Sequence, residues 1–94
     1  MKISIITVCF NPGAKMEKTI RSVCMQDYED VEYIVVDGGS TDGTPDLLKR
    51  YDGAIAEWVS EPDKGVFDAM AKGVAMATGD YIGFLDSGNW FINS

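Results

Sequence analysis

The sequence contains no histidine, and this absence excludes several kinds of site. A Ser-His-Asp or Cys-His catalytic arrangement needs an imidazole, and so does a zinc site with histidine ligands. Basic side chains are also few, with 8 against 15 acidic ones and a formal net charge of −7. Because binding to a nucleic-acid backbone requires positive charge, the composition argues against a nucleic acid as a partner.

Cysteines and long apolar runs are scarce as well. Cys9 and Cys24 lack the CxxC spacing of metal and redox sites, so we expect free thiols in a reducing compartment. The longest apolar run, Ile3 to Phe10, is too short to span a bilayer. We therefore expect a cytoplasmic protein. Its 46% of hydrophobic residues suits a single small globular domain.

Strand-like and helix-like segments alternate along the chain. Apolar, β-branched runs predict strands at residues 3–8, 33–36, 55–59 and 81–85, each followed by turn-forming residues. Apolar spacing and helix-start signals predict helices over residues 15–25, 44–53 and 66–77. This order is typical of a Rossmann-like, three-layer α/β/α fold with a mainly parallel sheet. We predict the strand order 3-2-1-4.

Three local features are predicted in more detail. Thr44 is expected to cap the second helix, with Pro45 at its first helical position. The fourth strand is apolar throughout, so we expect it to be covered on both faces. The third helix is expected to pack through an apolar face made of Phe67, Met70, Ala71 and Val74.

Polar and acidic residues follow each predicted strand. They are Cys9, Asn11, Asp37, Glu61, Asp63, Lys64, Asp86 and Asn89, and the aromatic Phe10 stands between the first two. Open parallel sheets bind ligands beyond the carboxyl ends of their strands, where the strand order reverses, so Asp37 and Asp86 are expected to flank one crevice. Gathered carboxylates repel one another unless a divalent cation joins them, and such cations commonly retain substrate phosphates as ligands. The sequence therefore predicts a nucleotide or nucleotide-diphosphate site.

These residues also have structural explanations, which the sequence leaves open. Asp37 precedes two glycines and Asp86 begins Asp-Ser-Gly-Asn, so either can be a turn residue. Asp63 and Lys64 can form a solvated pair that contributes little. We assign Asp42 and Asp46 to a turn and a helix start rather than to a ligand site.

Several well-known site motifs are absent or incomplete. The chain has no GxxxxGK[ST] and no GxGxxG after its first strand. Residues 37–43 are rich in Asp and Gly but lack the spacing and the glutamate of an EF-hand loop. The spacing from Cys9 to Lys15 approaches the Cys-x5-Arg phosphate cradle of tyrosine phosphatases. Lysine is a poor substitute for a bidentate guanidinium there, so we favour packing at the strand end for Cys9.

Four segments carry a resemblance to a known family. They are ISIITVCFN (residues 3–11), EYIVVDGGSTDGT (32–44), SEPDKGVFDAM (60–70) and ATGDYI (77–82). Together they resemble the N-terminal, donor-binding half of family 2 glycosyltransferases with the GT-A fold. The resemblance implies transfer of a sugar from a nucleotide-diphosphate sugar to an acceptor hydroxyl by inverting displacement, in polysaccharide or glycoconjugate biosynthesis.

The resemblance also implies roles for particular residues of this sequence. Asp37 is implied to contact the nucleoside base, and Cys9 and Asn11 to line the nucleoside pocket. The segment with Asp63 and Lys64 is implied to lie near the base and the ribose.

The motif that begins at Asp86 is implied to contact the ribose of the donor, and Asp86 and Asn89 are implied to hold a divalent cation, Mg or Mn, on the diphosphate. The family usually has an aspartate where this chain has Gly88 or Asn89. Asparagine offers only a neutral oxygen, so we expect weaker or rearranged metal ligation. Trp90 and Phe91 are expected to pack in the core.

The acceptor site and the catalytic base of the family belong to a later segment. Residues 1–94 are therefore expected to form one partial domain, the donor-binding half, with no catalytic residue. The implied partners are a nucleotide-diphosphate sugar and a saccharide or lipid-linked acceptor, at the inner face of the membrane or in the cytoplasm. Homo-oligomers could form through uncovered surfaces. A catalytically inert nucleotide-sugar-binding fragment and a ligand-free interaction module remain as alternatives.

Overall fold

The computed structural model describes residues 1–24 and 30–85, in which strands and helices alternate as predicted. The elements are β1 Ile3–Cys9, α1 Lys15–Cys24, β2 Val31–Asp37, α2 Thr44–Arg50, β3 Glu57–Ser60, α3 Val66–Met76 and β4 Tyr81–Phe84. All strand pairs are parallel, in the order β3-β2-β1-β4. The predicted fold class and strand order are confirmed, and the strand order reverses between β1 and β4.

The helices cover both faces of the sheet and give the fold three layers. Because side chains alternate between the two faces of a strand, Ile5 and Val35 pack under α1 and α2. Ile6 and Val36 pack on the opposite face with Ala69 of α3. β2 lies inside the sheet, and the side chains from Tyr33 to Asp37 are all buried. Within the described part of the chain, no helix is long and apolar enough to cross a membrane.

The packing face of α3 differs from the predicted one. Its buried residues are Ala69 and Gly73, whereas Phe67 is 82% exposed. A Cβ atom at Gly73 would lie 2.5 Å from Cγ2 of Ile6. The helix therefore approaches β1 through its small residues, and the prediction from large apolar side chains was wrong.

Two other local predictions also need correction. β4 is exposed rather than covered, with Tyr81 at 57% and Phe84 at 47%, because it forms the edge of the sheet. Thr44 is the first residue of α2 rather than its cap, which is Gly43. The predictions for Asp86, Gly88, Asn89, Trp90 and Phe91 lie outside the described residues.

A hydrogen-bond network at the amino ends of the strands attaches the α3–β4 connection to β1 and β2. Glu32 Oε1 accepts from Ser4 Oγ (2.7 Å) and from Thr78 N (2.9 Å). Glu32 Oε2 accepts from Thr78 Oγ1 (2.9 Å) and lies 3.9 Å from Lys2 Nζ. The backbone hydrogen bond from Thr78 is the main reason that the pKa of Glu32 is lowered. The ATGDYI segment therefore has a structural role here, at the edge opposite the strand ends predicted to bind ligand.

Candidate functional site

A cavity of about 410 Å³ lies at the carboxyl ends of β1 and β2, against the start of α3. Its lining residues are Val8, Cys9, Phe10, Gly38, Asp63, Gly65, Val66 and Ala69. Among these described residues, Asp63 is the one charged side chain, and Phe10 is an aromatic ring that is 64% exposed. A mostly apolar cleft with a single polar group is typical of a small-molecule site.

Asp37 ends β2, and it is fully buried with both carboxylate oxygens occupied. Oδ1 accepts hydrogen bonds from Ser40 Oγ and from Cys9 Sγ, the latter at 3.4 Å. Oδ2 accepts from Ser40 N at 2.9 Å and from Ser60 Oγ at 2.8 Å. The strand register places Cys9, Asp37 and Ser60 side by side. Asp37 thus connects the ends of three strands and is not among the residues that line the cavity.

Direct contact between Asp37 and a base stays a prediction from the resemblance. The hydrogen bonds support the structural alternative, in which this carboxylate fixes the strand ends. Side-chain alternation also places Asp37 on the same side of β2 as Tyr33 and Val35, which pack under α1 and α2. Val8 and Ala69 line the cavity from the other side, and Cys9, which lies on the same side as Asp37, also lines it.

Cys9 lines the cavity, but the residue is only 8% exposed. Burial raises the pKa of Cys9 strongly, and the nearby carboxylate of Asp37 raises it further. A cysteine nucleophile needs a thiolate, which this environment disfavours. Cys9 is therefore a buried donor to Asp37, and the geometry argues against the phosphatase-like alternative.

Asn11 braces the loop after β2 from outside the cavity. Its backbone has a φ of 48°, a left-handed conformation that asparagine tolerates better than most residues. Its Oδ1 accepts from Thr41 N (2.7 Å) and from Asp42 N (3.2 Å), while its own N donates to Ser40 Oγ (2.7 Å). Asn11 therefore shapes the loop at residues 37–43, and it is not among the residues that line the cavity.

Asp42 also serves this loop, in agreement with its assignment to a turn. Its Oδ2 accepts from Gly13 N (2.9 Å), and its Oδ1 accepts from Thr44 N (3.0 Å) at the start of α2. Hydrogen bonds from Thr44 lower the pKa of Asp42.

Asp63 reaches the cavity because two glycines face it. Its Oδ1 accepts from Gly65 N at 3.0 Å. A Cβ atom at Gly38 would lie 2.8 Å from Asp63 Oδ2, and one at Gly39 would lie 3.2 Å from Pro62 N. Gly39 also has a φ of 88°, which L side chains rarely adopt. The Gly-Gly pair after Asp37 therefore makes room for the loop that carries Asp63.

Lys64 and Lys72 differ in their relation to the cavity. Lys64 is exposed and is not among the lining residues, although its backbone N donates to Asp68 Oδ2 at 2.9 Å. Lys72, on α3, donates to Pro62 O at 3.2 Å and lies 3.4 Å from Glu61 Oε2. Lys72 thus anchors the loop that presents Asp63.

The sequence placed Phe10 at the end of the first strand, but Phe10 was not predicted to be a site residue, and neither were Gly38 and Lys72. The contacts of Gly38 and Lys72 depend on the course of a distant loop, so no local pattern reveals them.

Within residues 1–24 and 30–85, no group of three or more Cys, Asp or Glu side chains could hold a metal ion. The predicted ligands, Asp86 and Asn89, lie outside these residues.

The sequence from residue 4 to residue 92 matches the profile of glycosyl transferase family 2. The chain belongs to this family. An uncharacterized glycosyltransferase of Mycobacterium tuberculosis (strain CDC 1551 / Oshkosh) is 42% identical over 90 residues, which are 95% of this chain and 34% of the relative. A putative teichuronic acid biosynthesis glycosyltransferase of Bacillus subtilis (strain 168) is 39% identical over 88 residues, with coverage of 90% and 35%. The chain thus spans about a third of the length of these relatives.

Solved structures confirm the GT-A fold. A mannosyltransferase from Pyrobaculum calidifontis, in complex with GDP-Man and Mn2+, has a TM-score of 0.86 and 27% identity, covering 96% of this chain and 28% of its own. Glucosyl-3-phosphoglycerate synthase from Mycobacterium tuberculosis, in complex with Mg2+ and UDP, has a TM-score of 0.73 and 32% identity, covering 92% of this chain and 33% of its own.

Proposed function

We propose that this chain is the donor-binding part of a glycosyltransferase, and that the cavity beside β1 and β2 binds the nucleoside of a nucleotide-diphosphate sugar. The observation that supports this most is the position of the cavity. It lies at the carboxyl ends of parallel strands, beside the reversal of strand order, where open α/β sheets bind ligands. Structural neighbours with GDP-Man and with UDP agree with this class of ligand.

The lining suits a flat heterocycle with polar edges. The exposed ring of Phe10 provides a surface on which a base can stack, and Val8, Val66 and Ala69 supply apolar contacts. Asp63 supplies a hydrogen-bond acceptor at one side of the cleft. The sugar and the diphosphate would then extend towards β4 and the residues that follow it.

The proposed reaction is an inverting displacement, in which an acceptor hydroxyl attacks the anomeric carbon of the donor sugar. We propose that Asp86 and Asn89 hold a divalent cation. When bound, such a cation supplies positive charge that stabilises the leaving diphosphate. No residue of this chain is proposed as the catalytic base, and the acceptor, a saccharide or a lipid-linked molecule, belongs to the same proposal. We place this work in the cytoplasm, at or near the inner face of the membrane.

A nucleotide titration of the 94-residue chain tests the proposal. We expect UDP or GDP, with Mn2+ present, to shift the amide resonances of Gly38 and Gly65, which line the cavity. Ala54, which lines a separate cavity near Cys24, is the internal control and should not shift. Inorganic pyrophosphate is the control ligand, because it lacks the base. The absence of any shift at millimolar nucleotide would contradict the proposal.

An interaction module is the second candidate, and the exposed apolar residues favour it. Tyr81 and Phe84 on β4 and Phe67 on α3 are about half exposed or more, and an uncovered sheet edge can pair with another chain. This candidate predicts concentration-dependent self-association without nucleotide binding. Sedimentation measured with and without UDP separates it from the first.

A further inference from the structure

We propose that Asp63 selects the base of the donor by accepting a hydrogen bond from a ring N–H, so that the site prefers uracil or guanine to cytosine or adenine. This inference rests on the proposed function, because it requires a nucleoside in the cavity.

The two carboxylate oxygens of Asp63 differ in their hydrogen bonds. Oδ1 is committed to Gly65 N at 3.0 Å, which fixes the orientation of the carboxylate. Oδ2 lies over Gly38, 2.8 Å from the position that a Cβ atom would take there, and both residues line the cavity. The hydrogen bond from Gly65 N to Oδ1 is the one that Asp63 accepts among the described residues, so Oδ2 has no donor there. One oriented acceptor oxygen therefore faces the space available to a ligand.

The other polar side chains near this edge already have hydrogen-bond partners within the chain. Both oxygens of Asp37 accept hydrogen bonds from the chain itself, and the residue is fully buried. The side-chain oxygen of Asn11 is occupied by Thr41 N and Asp42 N. Neither residue lines the cavity, so Asp63 supplies its one charged group within the described residues.

The four bases differ in the groups that they can present to this oxygen. At the ring nitrogen, uracil N3 and guanine N1 carry a hydrogen and donate, whereas cytosine N3 and adenine N1 are acceptors, and the donors of cytosine and adenine are the exocyclic amino groups at N4 and N6. An acceptor brought against a carboxylate oxygen gains no hydrogen bond and leaves the oxygen unpaired, which lowers affinity. Stacking on Phe10 would not discriminate in this way, because every base has a π-face.

The test is the ratio of the dissociation constants for CDP and UDP, and likewise for ADP and GDP, in the wild-type chain and in Asp63→Asn. In the variant, the amide oxygen keeps the hydrogen bond from Gly65 N, and the amide nitrogen takes the position of Oδ2. The acceptor becomes a donor, which suits cytosine N3 or adenine N1. We expect the ratio for the preferred pair to fall roughly tenfold to a hundredfold.

Asp68→Asn is the matched control. It also removes one negative charge close to the loop, where Asp68 Oδ2 accepts from Lys64 N at 2.9 Å, but it does not line the cavity. The ratio should stay at its wild-type value in this variant. An equal change in both variants would overturn the proposal, because it would show an effect of net charge alone.

Gly38→Ala gives a second test, because its Cβ would collide with Asp63 Oδ2. We expect it to weaken UDP or GDP binding in the wild-type background and to have little further effect in an Asp63→Ala background. Additive effects would overturn the proposal. A wild-type chain that binds UDP and CDP equally, and GDP and ADP equally, would overturn base selection but leave the donor site intact. A chain that binds none of these nucleotides would overturn both.

Discussion

Replacing Asp37 with alanine is predicted to destabilise the fold and to reduce nucleotide binding only through that loss. The substitution removes the acceptor for four donors: Ser40 N, Ser40 Oγ, Cys9 Sγ and Ser60 Oγ. The two hydroxyl groups can rotate towards other acceptors or water. The backbone N–H of Ser40 cannot, because Ser40 is itself 9% exposed and held by the loop.

The magnitude follows from this distinction. A buried donor left without a partner costs about 1–3 kcal/mol, and hydrogen bonds to a charged group contribute about 1.5–3 kcal/mol each. These contributions are not additive within one cluster, and removing the carboxylate also removes its desolvation cost. We therefore expect Asp37→Ala to lower the free energy of unfolding by about 2–4 kcal/mol. Asp37→Asn, which retains one oxygen, should cost less than the alanine variant.

The assay is urea unfolding followed by circular dichroism, combined with UDP and GDP titration of the folded fraction. Asp63→Asn is the contrasting variant, because its effect should appear in ligand binding with nearly unchanged stability. An Asp37→Ala variant that unfolds like the wild type but has lost nucleotide affinity would refute this reasoning. Such a result would favour direct contact of Asp37 with the base.

Three further predictions concern the cavity, its supporting loop and the opposite edge of the sheet. Phe10→Ala should weaken nucleotide binding by about 1–3 kcal/mol if the base stacks on the ring. Stability should change little, because Phe10 is 64% exposed. Calorimetry with UDP and GDP measures both affinities, and wild-type affinity in the variant would exclude stacking. Lys72→Met should weaken nucleotide binding by releasing Pro62 O from its donor, and an unchanged affinity would show that the loop needs no such anchor. The lowered pKa of Glu32 means that its contribution to stability is present above the ordinary glutamate pKa of 4.5 and is lost as the pH falls through the folded-state value. As the pH falls below that value, the free energy of unfolding should therefore decrease less steeply in Glu32→Gln than in the wild type. An identical pH profile of the two proteins would contradict the role of the contacts with Thr78.

The alternation of strands and helices could be predicted from the sequence, since the information for it is local. Each strand is an apolar run that ends in turn formers, and alternation with helices restricts the connections to right-handed parallel crossovers. The face of α3 could not be predicted in the same way. Hydrophobicity favoured Phe67, but the contact distance to Ile6 admits only small residues such as Ala69 and Gly73.

The candidate site shows the same division between local and distant information. The sequence correctly placed Cys9, Asp37 and Asp63 at the carboxyl edge of the sheet. It could not indicate which carboxylate faces the cavity, because that depends on the loop after β3 meeting Gly38 after β2. Asp37 and Asp63 are both carboxylates near strand ends, and only their tertiary contacts distinguish them.

A side chain whose hydrogen-bonding capacity is already satisfied by the chain can bind a ligand only by giving up some of those bonds. For Asp37 that exchange would expose buried donors and loosen three strand ends together, so its contacts favour a fixed structural role. For Asp63 the exchange costs little, because Oδ2 has no donor among the described residues and Gly65 N can stay bonded to Oδ1. We therefore expect a substitution at Asp63, in the loop after β3, to change the preference for the base. Asp37, at the end of β2, would still hold the ends of the three strands together.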